Sequence, residues 1–249
     1  MDEVMTAVGR SRNYKIKRAI AIVPAYNEEK SIEKVVSSLR AAGWDFVVVN
    51  DGSKDKTRTL LEKMGAPHIN LVQNLGIGGA VQTGYLYALL AGYDIAVQFD
   101  GDGQHDAAYL DALVQPIVDG SADLVIGSRF VGNESEFKSS FARRAGITIL
   151  SFILKLVSKE KVYDVTSGFR AADKKAMRLF ASYYPTDYPE PESIAYAAAR
   201  GVRLAEVPVA MHEREGGSSS IFGLRSIYYM IKVGASIIIT GGNYRTRRR

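Results

Sequence analysis

The chemistry in this chain concentrates in three short polar clusters, each placed directly after an apolar run. They are Pro24-Ala25-Tyr26-Asn27-Glu28, Asn50-Asp51-Gly52-Ser53 and Asp100-Gly101-Asp102-Gly103-Gln104. Asp and Gly are common in turns and helix caps, so the Asp51 cluster alone reads as readily as a cap. The third cluster is more specific. Two carboxylates flank one glycine after Ile95-Ala96-Val97, and an amide follows two residues later. Oxygen ligands at that density suit magnesium or manganese, hard cations that bridge protein carboxylates to phosphates. A tight acidic turn is the alternative. The absence of cysteine excludes thiolate metal sites, cysteine nucleophiles and disulfides. With only His68, His105 and His212, a histidine-rich metal centre is not expected.

These clusters need a frame, and the apolar pattern supplies one. Short runs at 19–23, 46–49, 69–72, 95–99 and 124–126 read as strands. Between them, 28–42, 55–64, 77–91 and 107–118 read as helices, with Ile32, Val35, Val36 and Leu39 at helical spacing in the first. Repeated strand–helix alternation with continuous apolar strands predicts an α/β protein with a mostly parallel sheet covered on both faces. In such sheets ligands bind beyond the carboxyl ends of the strands, where all three clusters fall. Gly76-Ile77-Gly78-Gly79 is not a dinucleotide fingerprint, because Val81 stands where the third glycine belongs and the motif follows the third strand. It reads as a glycine-bearing helix start. The second half is less regular, with helices expected over 141–157, 174–180, 189–200 and 223–239 and a strand over 202–209.

The 249 residues, 47% hydrophobic and 24% charged, suit one folded domain with a sizeable core. The net charge of +5 is unevenly spread. Arg10, Arg12, Lys15, Lys17 and Arg18 crowd the start, and Arg245, Arg247, Arg248 and Arg249 the end, whereas the body between is slightly acidic. A nucleic-acid-binding domain would spread its basic residues over a folded face, so no nucleic-acid partner is expected. Basic ends suit anionic lipid, with plain solvated tails as the alternative. No secretory signal is expected in the first 18 residues, and no stretch reaches the roughly 18–20 apolar residues that span a bilayer.

Taken with Val23 and Val49, the three clusters resemble glycosyltransferase family 2, and more narrowly its dolichol-phosphate mannose synthase and polyprenyl-phosphate glycosyltransferase branch. Asn74-Leu75-Gly76, Gly78-Gly79-Ala80, Gly127-Ser128-Arg129-Phe130 and Asp164-Val165-Thr166-Ser167-Gly168-Phe169-Arg170 also match that branch. The resemblance covers about residues 19–222. It implies a GT-A type, Rossmann-like fold, a UDP- or GDP-sugar donor, a Mg2+ or Mn2+ ion and inversion at the anomeric carbon. On this resemblance Pro24, Ala25, Tyr26, Glu28 and Asp51 hold the nucleotide. Asp100 and Asp102 hold the metal beside the donor, with Gln104 a further ligand, and Gly78 and Gly79 allow close approach to the nucleotide.

The acceptor side carries more alternatives. Arg129 and Arg170 reach either a phosphate or an ion-pair partner. Arg214, Gly217 and Ser218 or Ser219 resemble the phosphate-contacting loop of the polyprenyl-phosphate enzymes, with Ser in place of its Lys; a plain Gly-Ser connector is the other reading. Glu190 and Glu192 are candidates for a catalytic base, for sugar binding or for a helix cap after prolines. A sugar hydroxyl acceptor needs a base near neutral pH, whereas a lipid phosphate is already an anionic nucleophile. The expected reaction is therefore transfer from a nucleotide-diphosphate sugar to a polyprenyl phosphate, with a glycan hydroxyl acceptor, or an inert sugar-nucleotide-binding scaffold, as alternatives.

The expected organisation is a basic extension over 1–18, a catalytic domain over 19–222 and an interfacial helix with a basic tail over 223–249. Ile227, Met230, Ile231, Gly234, Ile237 and Ile238 form one face of that helix; Arg225, Tyr229, Lys232 and Ser236 form the other. This places the enzyme peripherally at the cytoplasmic face of a membrane. Ile147, Leu150, Phe152, Ile153, Leu154 and Val157 offer a second contact. Burial in the core or in a homo-oligomer competes with membrane contact for both.

Overall fold

The computed structural model describes residues 18–132, 141–158, 160–186, 189–211 and 232–239. Seven strands form one sheet: β1 (Ala19–Ala25), β2 (Asp45–Asn50), β3 (His68–Asn70), β4 (Ile95–Gln98), β5 (Leu124–Ser128), β6 (Arg170–Asp173) and β7 (Leu204–Pro208), in the order β3-β2-β1-β4-β6-β5-β7. The helices are α1 (Ile32–Ala41), α2 (Thr57–Lys63), α3 (Gly76–Leu90), α4 (Leu110–Val118), α5 (Phe141–Ser158), α6 (Lys174–Ser182) and α7 (Pro189–Ala199).

Alternation along each strand divides the core between the two faces of the sheet. Ala19, Ala21 and Val23 of β1 pack with α1 and α4 through Val35, Val36, Leu39, Leu113 and Ile117. Ile20 and Ile22 pack on the opposite face with Val81, Tyr85, Met177 and Phe180 of α3 and α6. Both faces being covered, β1 is buried along its whole length, which is why it reads as a continuous apolar run. Helix α3 approaches β1 closely at Gly84, where a Cβ would lie 2.9 Å from the Ile22 Cβ.

Every strand pair is parallel except those of β6, which runs antiparallel between β4 and β5. Strand β6 is absent from the sequence expectation. Its four residues, Arg-Ala-Ala-Asp, lack the branched apolar run that marks its neighbours. The pairing sets Arg170 opposite Gln98 and brings the chain just before β6 past the carboxyl end of β4.

Under β5, a third core cluster joins Ile126 to Ile147, Leu150 and Leu154 of α5, Ile194 of α7, and Val233 and Ile237 of a helical segment over residues 232–239. Gly234 of that segment faces Ile153 of α5. Core packing thus claims Ile147, Leu150 and Leu154 of one face proposed for membrane contact and Ile237 of the other, whose Ile227, Met230 and Ile231 lie outside the described residues. A second apolar surface points outward instead, with Ile149, Phe152 and Leu156 of α5 at 54%, 60% and 61% exposure, and Ile238 and Ile239 likewise exposed. The rest of the expected terminal helix, residues 223–231, the basic tail, and residues 1–17 of the basic extension lie outside the described residues.

Candidate functional site

The carboxyl ends of β1, β2 and β4 face one edge of the molecule, and their loops are stitched together there. Asn27 adopts φ +56°, a left-handed conformation that Asn tolerates. Its Oδ1 accepts from the Lys54 N–H at 2.8 Å, and its own N–H donates to Ser53 Oγ at 3.0 Å. The Glu28 N–H donates to Thr57 Oγ1 at 2.9 Å. Ser31 Oγ lies 2.9 Å from the Glu28 carboxylate and 2.8 Å from the Gly101 carbonyl, tying the first loop to the acidic one. The Tyr26 side chain stays exposed above this frame.

Asp51 is buried, and its Oδ1 accepts from the Leu75 N–H at 2.7 Å, so one carboxylate oxygen anchors the start of α3. Gly52 makes that approach possible. At φ +67° its Cβ position would sit 2.9 Å from the Asn74 nitrogen, a place only glycine fits. Gly78, one helical turn on, has its Cβ position 2.0 Å from the Pro185 carbonyl oxygen. The loop between α6 and α7 therefore rests on α3 at Gly78. The Cβ position of Gly79 lies 2.5 Å from the Leu75 Cβ.

The acidic loop lies against β1: a Cβ on Gly101 would come 2.9 Å from the Pro24 carbonyl oxygen. Asp102 is largely buried and accepts from the Gln104 N–H at 3.1 Å. The Asp100 side chain is 29% exposed, open to an incoming group. Its backbone N–H donates to His105 Nδ1 at 2.9 Å, which leaves the ring proton on Nε2, 3.5 Å from Asp100 Oδ2. Burial depresses the His105 pKa despite the opposing pull of Asp100, so the ring is neutral at pH 7. It stacks on Phe169 at 4.5 Å.

Among the described residues, no three His, Asp or Glu side chains stand together as a complete metal cage. The donor set at this loop is two hard carboxylates, Asp100 and Asp102, with the Gln104 amide beside them. Such a partial shell fits a Mg2+ or Mn2+ ion that completes its coordination with water and phosphate oxygens.

On the far side of the site, Arg129 takes the ion-pair alternative. It is buried, with Nε 2.7 Å from Asp164 Oδ2, Nη2 2.8 Å from Oδ1, and a further bond to Thr166 Oγ1 at 2.9 Å. Arg170 is buried as well. It donates to the Ser167 carbonyl at 2.7 Å, to Ser193 Oγ at 2.7 Å and to the Val165 carbonyl at 3.4 Å. Both guanidinium groups thus brace the segment 164–170 and the start of α7. Glu190 is partly buried; burial raises its pKa, Arg170 opposes the rise, and Asp100 adds to it. Glu192 accepts from Tyr183 OH at 2.9 Å and from Ser236 Oγ, and lines a cavity of about 200 Å³ with Thr186 and Lys232. Arg214, Ser218 and Ser219 lie outside the described residues.

Sequence reasoning quoted His105 without a role and missed Gln98 and Gly168 as neighbours of the acidic pair. The sole local signal was an amide at a strand position where an apolar residue was expected.

Compared with known proteins, residues 20–180 match the model of a family described as glycosyl transferase family 2. The chain is 33% identical over 240 residues to the UDP-N-acetylglucosamine–dolichyl-phosphate N-acetylglucosaminyltransferase of Methanococcus voltae, covering 86% of this chain and 95% of that protein. It is 31% identical over 216 residues to the undecaprenyl-phosphate mannosyltransferase of Micrococcus luteus, covering 83% and 88%. Among solved structures it resembles glucosyl-3-phosphoglycerate synthase of Mycobacterium tuberculosis in complex with Mn2+, UDP and glucosyl-3-phosphoglycerate. That match has a TM-score of 0.68 at 21% identity and covers 91% of this chain and 80% of the other.

Proposed function

Because this chain belongs to glycosyl transferase family 2 and is a glycosyltransferase of GT-A fold, we propose that it moves a sugar from a nucleotide diphosphate to a polyprenyl phosphate at a membrane surface. The observation that carries the donor side is the half-open Asp100 carboxylate beside Asp102 at the end of β4. Tyr26, Glu28 and Asp51 converge on the same edge from β1 and β2. In this reading Asp100 and Asp102, with Gln104, hold a divalent cation, and when bound it supplies charge neutralisation for a departing diphosphate. Tyr26 offers an aromatic face to the base, and Asp51 accepts from the nucleoside. An acceptor phosphate oxygen attacks the anomeric carbon from the side opposite the diphosphate. The bond to the diphosphate breaks with its electron pair, inverting the centre.

The acceptor side draws support from the two relatives named for dolichyl and undecaprenyl phosphate. The outward apolar surface supports it too. Ile149, Phe152, Leu156, Ile238 and Ile239 are flanked by exposed Arg144, Lys155 and Lys232, and α5 carries no acidic residue. Apolar side chains rimmed by cations suit the headgroup layer of an anionic bilayer. In this reading contact is peripheral, at the cytoplasmic face; among the described residues no helix is long and apolar enough to cross a membrane.

One observation favours a second reading, a hydroxyl acceptor. Glu190 has its pKa raised and is coupled electrostatically to Asp100, as a base poised beside the donor would be. The test is a panel of UDP-, GDP- and dTDP-sugars with purified protein, with and without undecaprenyl phosphate, Mg2+, Mn2+ and chelator. Lipid-dependent, chelator-sensitive release of nucleoside diphosphate supports the proposal; no release under any combination refutes it.

A further inference from the structure

Gln98 ends β4 as a buried amide in a strand whose other residues are Ile, Ala and Val. A buried amide with unmet hydrogen bonds costs roughly 1–3 kcal/mol, so its partners are informative. Its Oε1 accepts from Tyr184 OH at 3.3 Å, and its Nε2 donates to Asp100 Oδ1 at 3.3 Å. We infer that Gln98 and Tyr184 act as a positioning pair that sets the orientation of the Asp100 carboxylate and, through it, the site's affinity for a divalent cation.

Three features carry this inference, which rests on reading Asp100 as a metal ligand. First, the polarity of the chain of bonds is determined. Burial pushes the Tyr184 hydroxyl up to about 12, so it is protonated at neutral pH and donates to the amide oxygen. That turns the amide NH2 toward the carboxylate. Second, the other oxygen, Oδ2, faces the Nε2–H of His105 at 3.5 Å, so the carboxylate sits between two nitrogen donors. Both spacings are at the long end of hydrogen bonding, so the donors orient the group while leaving its charge for a cation. Third, the fit has no slack. A Cβ on Gly168 would lie 3.0 Å from both Gln98 Nε2 and Asp100 Oδ2.

Tyr184 is itself well anchored. Its ring packs against Phe180 at 5.3 Å and Tyr85 at 5.9 Å. The residues after it, Pro185 and Thr186, rest on Gly78 of α3. Outer groups that orient metal ligands typically change metal affinity about 10–100-fold when removed.

The experiment measures Mn2+ affinity directly, by electron paramagnetic resonance titration in the presence of UDP. The proteins are the wild type, Gln98→Leu, Tyr184→Phe and the double variant. The expected result is a loss of roughly tenfold in Gln98→Leu, a smaller loss in Tyr184→Phe, and a double variant no worse than Gln98→Leu. Metal-free UDP binding should hold at the wild-type value throughout. Mn2+ affinity within twofold of wild type in Gln98→Leu, or losses that multiply in the double variant, overturns the inference alone. Wild-type protein that binds no Mn2+ overturns the metal reading of Asp100 and the inference with it. Should Gln98→Leu fail to fold, Tyr184→Phe removes only the hydroxyl and decides the matter by the same titration, unchanged affinity being the contrary result.

Discussion

Glu190 and Glu192 stand two residues apart in the first turn of α7 and answer to different surroundings. Glu190 interacts with Arg170 and Asp100, whereas Glu192 is hydrogen-bonded to Tyr183 and Ser236. Sequence alone treated them as interchangeable. Their neighbours set Glu190 in the field of Arg170 and Asp100, whereas Glu192 fastens the 232–239 segment.

If the acceptor is a phosphate, Glu190→Gln should lower kcat by less than about tenfold. A general base typically contributes about 10²–10⁴-fold, and a phosphate nucleophile needs none. Steady-state kinetics with saturating donor checks this, and a loss in the upper range points to a hydroxyl acceptor.

Glu192→Gln should leave donor binding intact and lower stability by about 0.5–1.5 kcal/mol, the net worth of one hydrogen bond, since the Gln amide oxygen can still accept the other. Urea denaturation reads the loss. Hydrogen exchange should rise in residues 232–239.

Asp100→Asn and Asp102→Asn should each cut activity at least about 10²-fold, since each weakens the hold on the cation that would neutralise the departing diphosphate. Chelation of the wild type should have the same effect, reversed by added Mn2+ or Mg2+. Donor hydrolysis and transfer assays check both.

Acid stability should depend on Asp123, at the opposite end of β5 from the site. Burial pushes its pKa up, but hydrogen bonds from Arg203 and Lys175 outweigh burial and hold it well below the usual carboxylate range. A depressed pKa contributes stability above the unfolded value, near about 3.9, that is lost as pH falls toward the folded value. Asp123→Asn should therefore be less stable than wild type at pH 7, by about 1–2 kcal/mol given its half-exposed partners. The gap should narrow below pH 4. Denaturation midpoints at pH 7, 5 and 3 test the sign.

Much of the donor half was legible because its signals are local. The strands β1, β2 and β4 are apolar runs, and the residues that follow each are the ones the fold gathers at one edge. Strand β6 was not legible, because its place between β4 and β5 comes from pairing across more than 40 residues on either side rather than from its own composition. The same long-range pairing explains why Gln98 and Gly168 were not placed beside the acidic pair, and why Arg129 and Arg170 could not be told from free cations. Asp164 and Ser193, which bind them, are remote in sequence. In α5 and residues 232–239 the apolar period alone does not say which of two apolar faces meets the core.

The most direct test of the central claim follows the sugar itself. Purified protein would be incubated with radiolabelled UDP- and GDP-sugars, Mn2+ and undecaprenyl phosphate, and the products partitioned into organic solvent. The account predicts label in the lipid phase, matched mole for mole by released nucleoside diphosphate and abolished by chelator. A lipid phase that stays free of label with every donor, while the label remains in the aqueous phase, would contradict it.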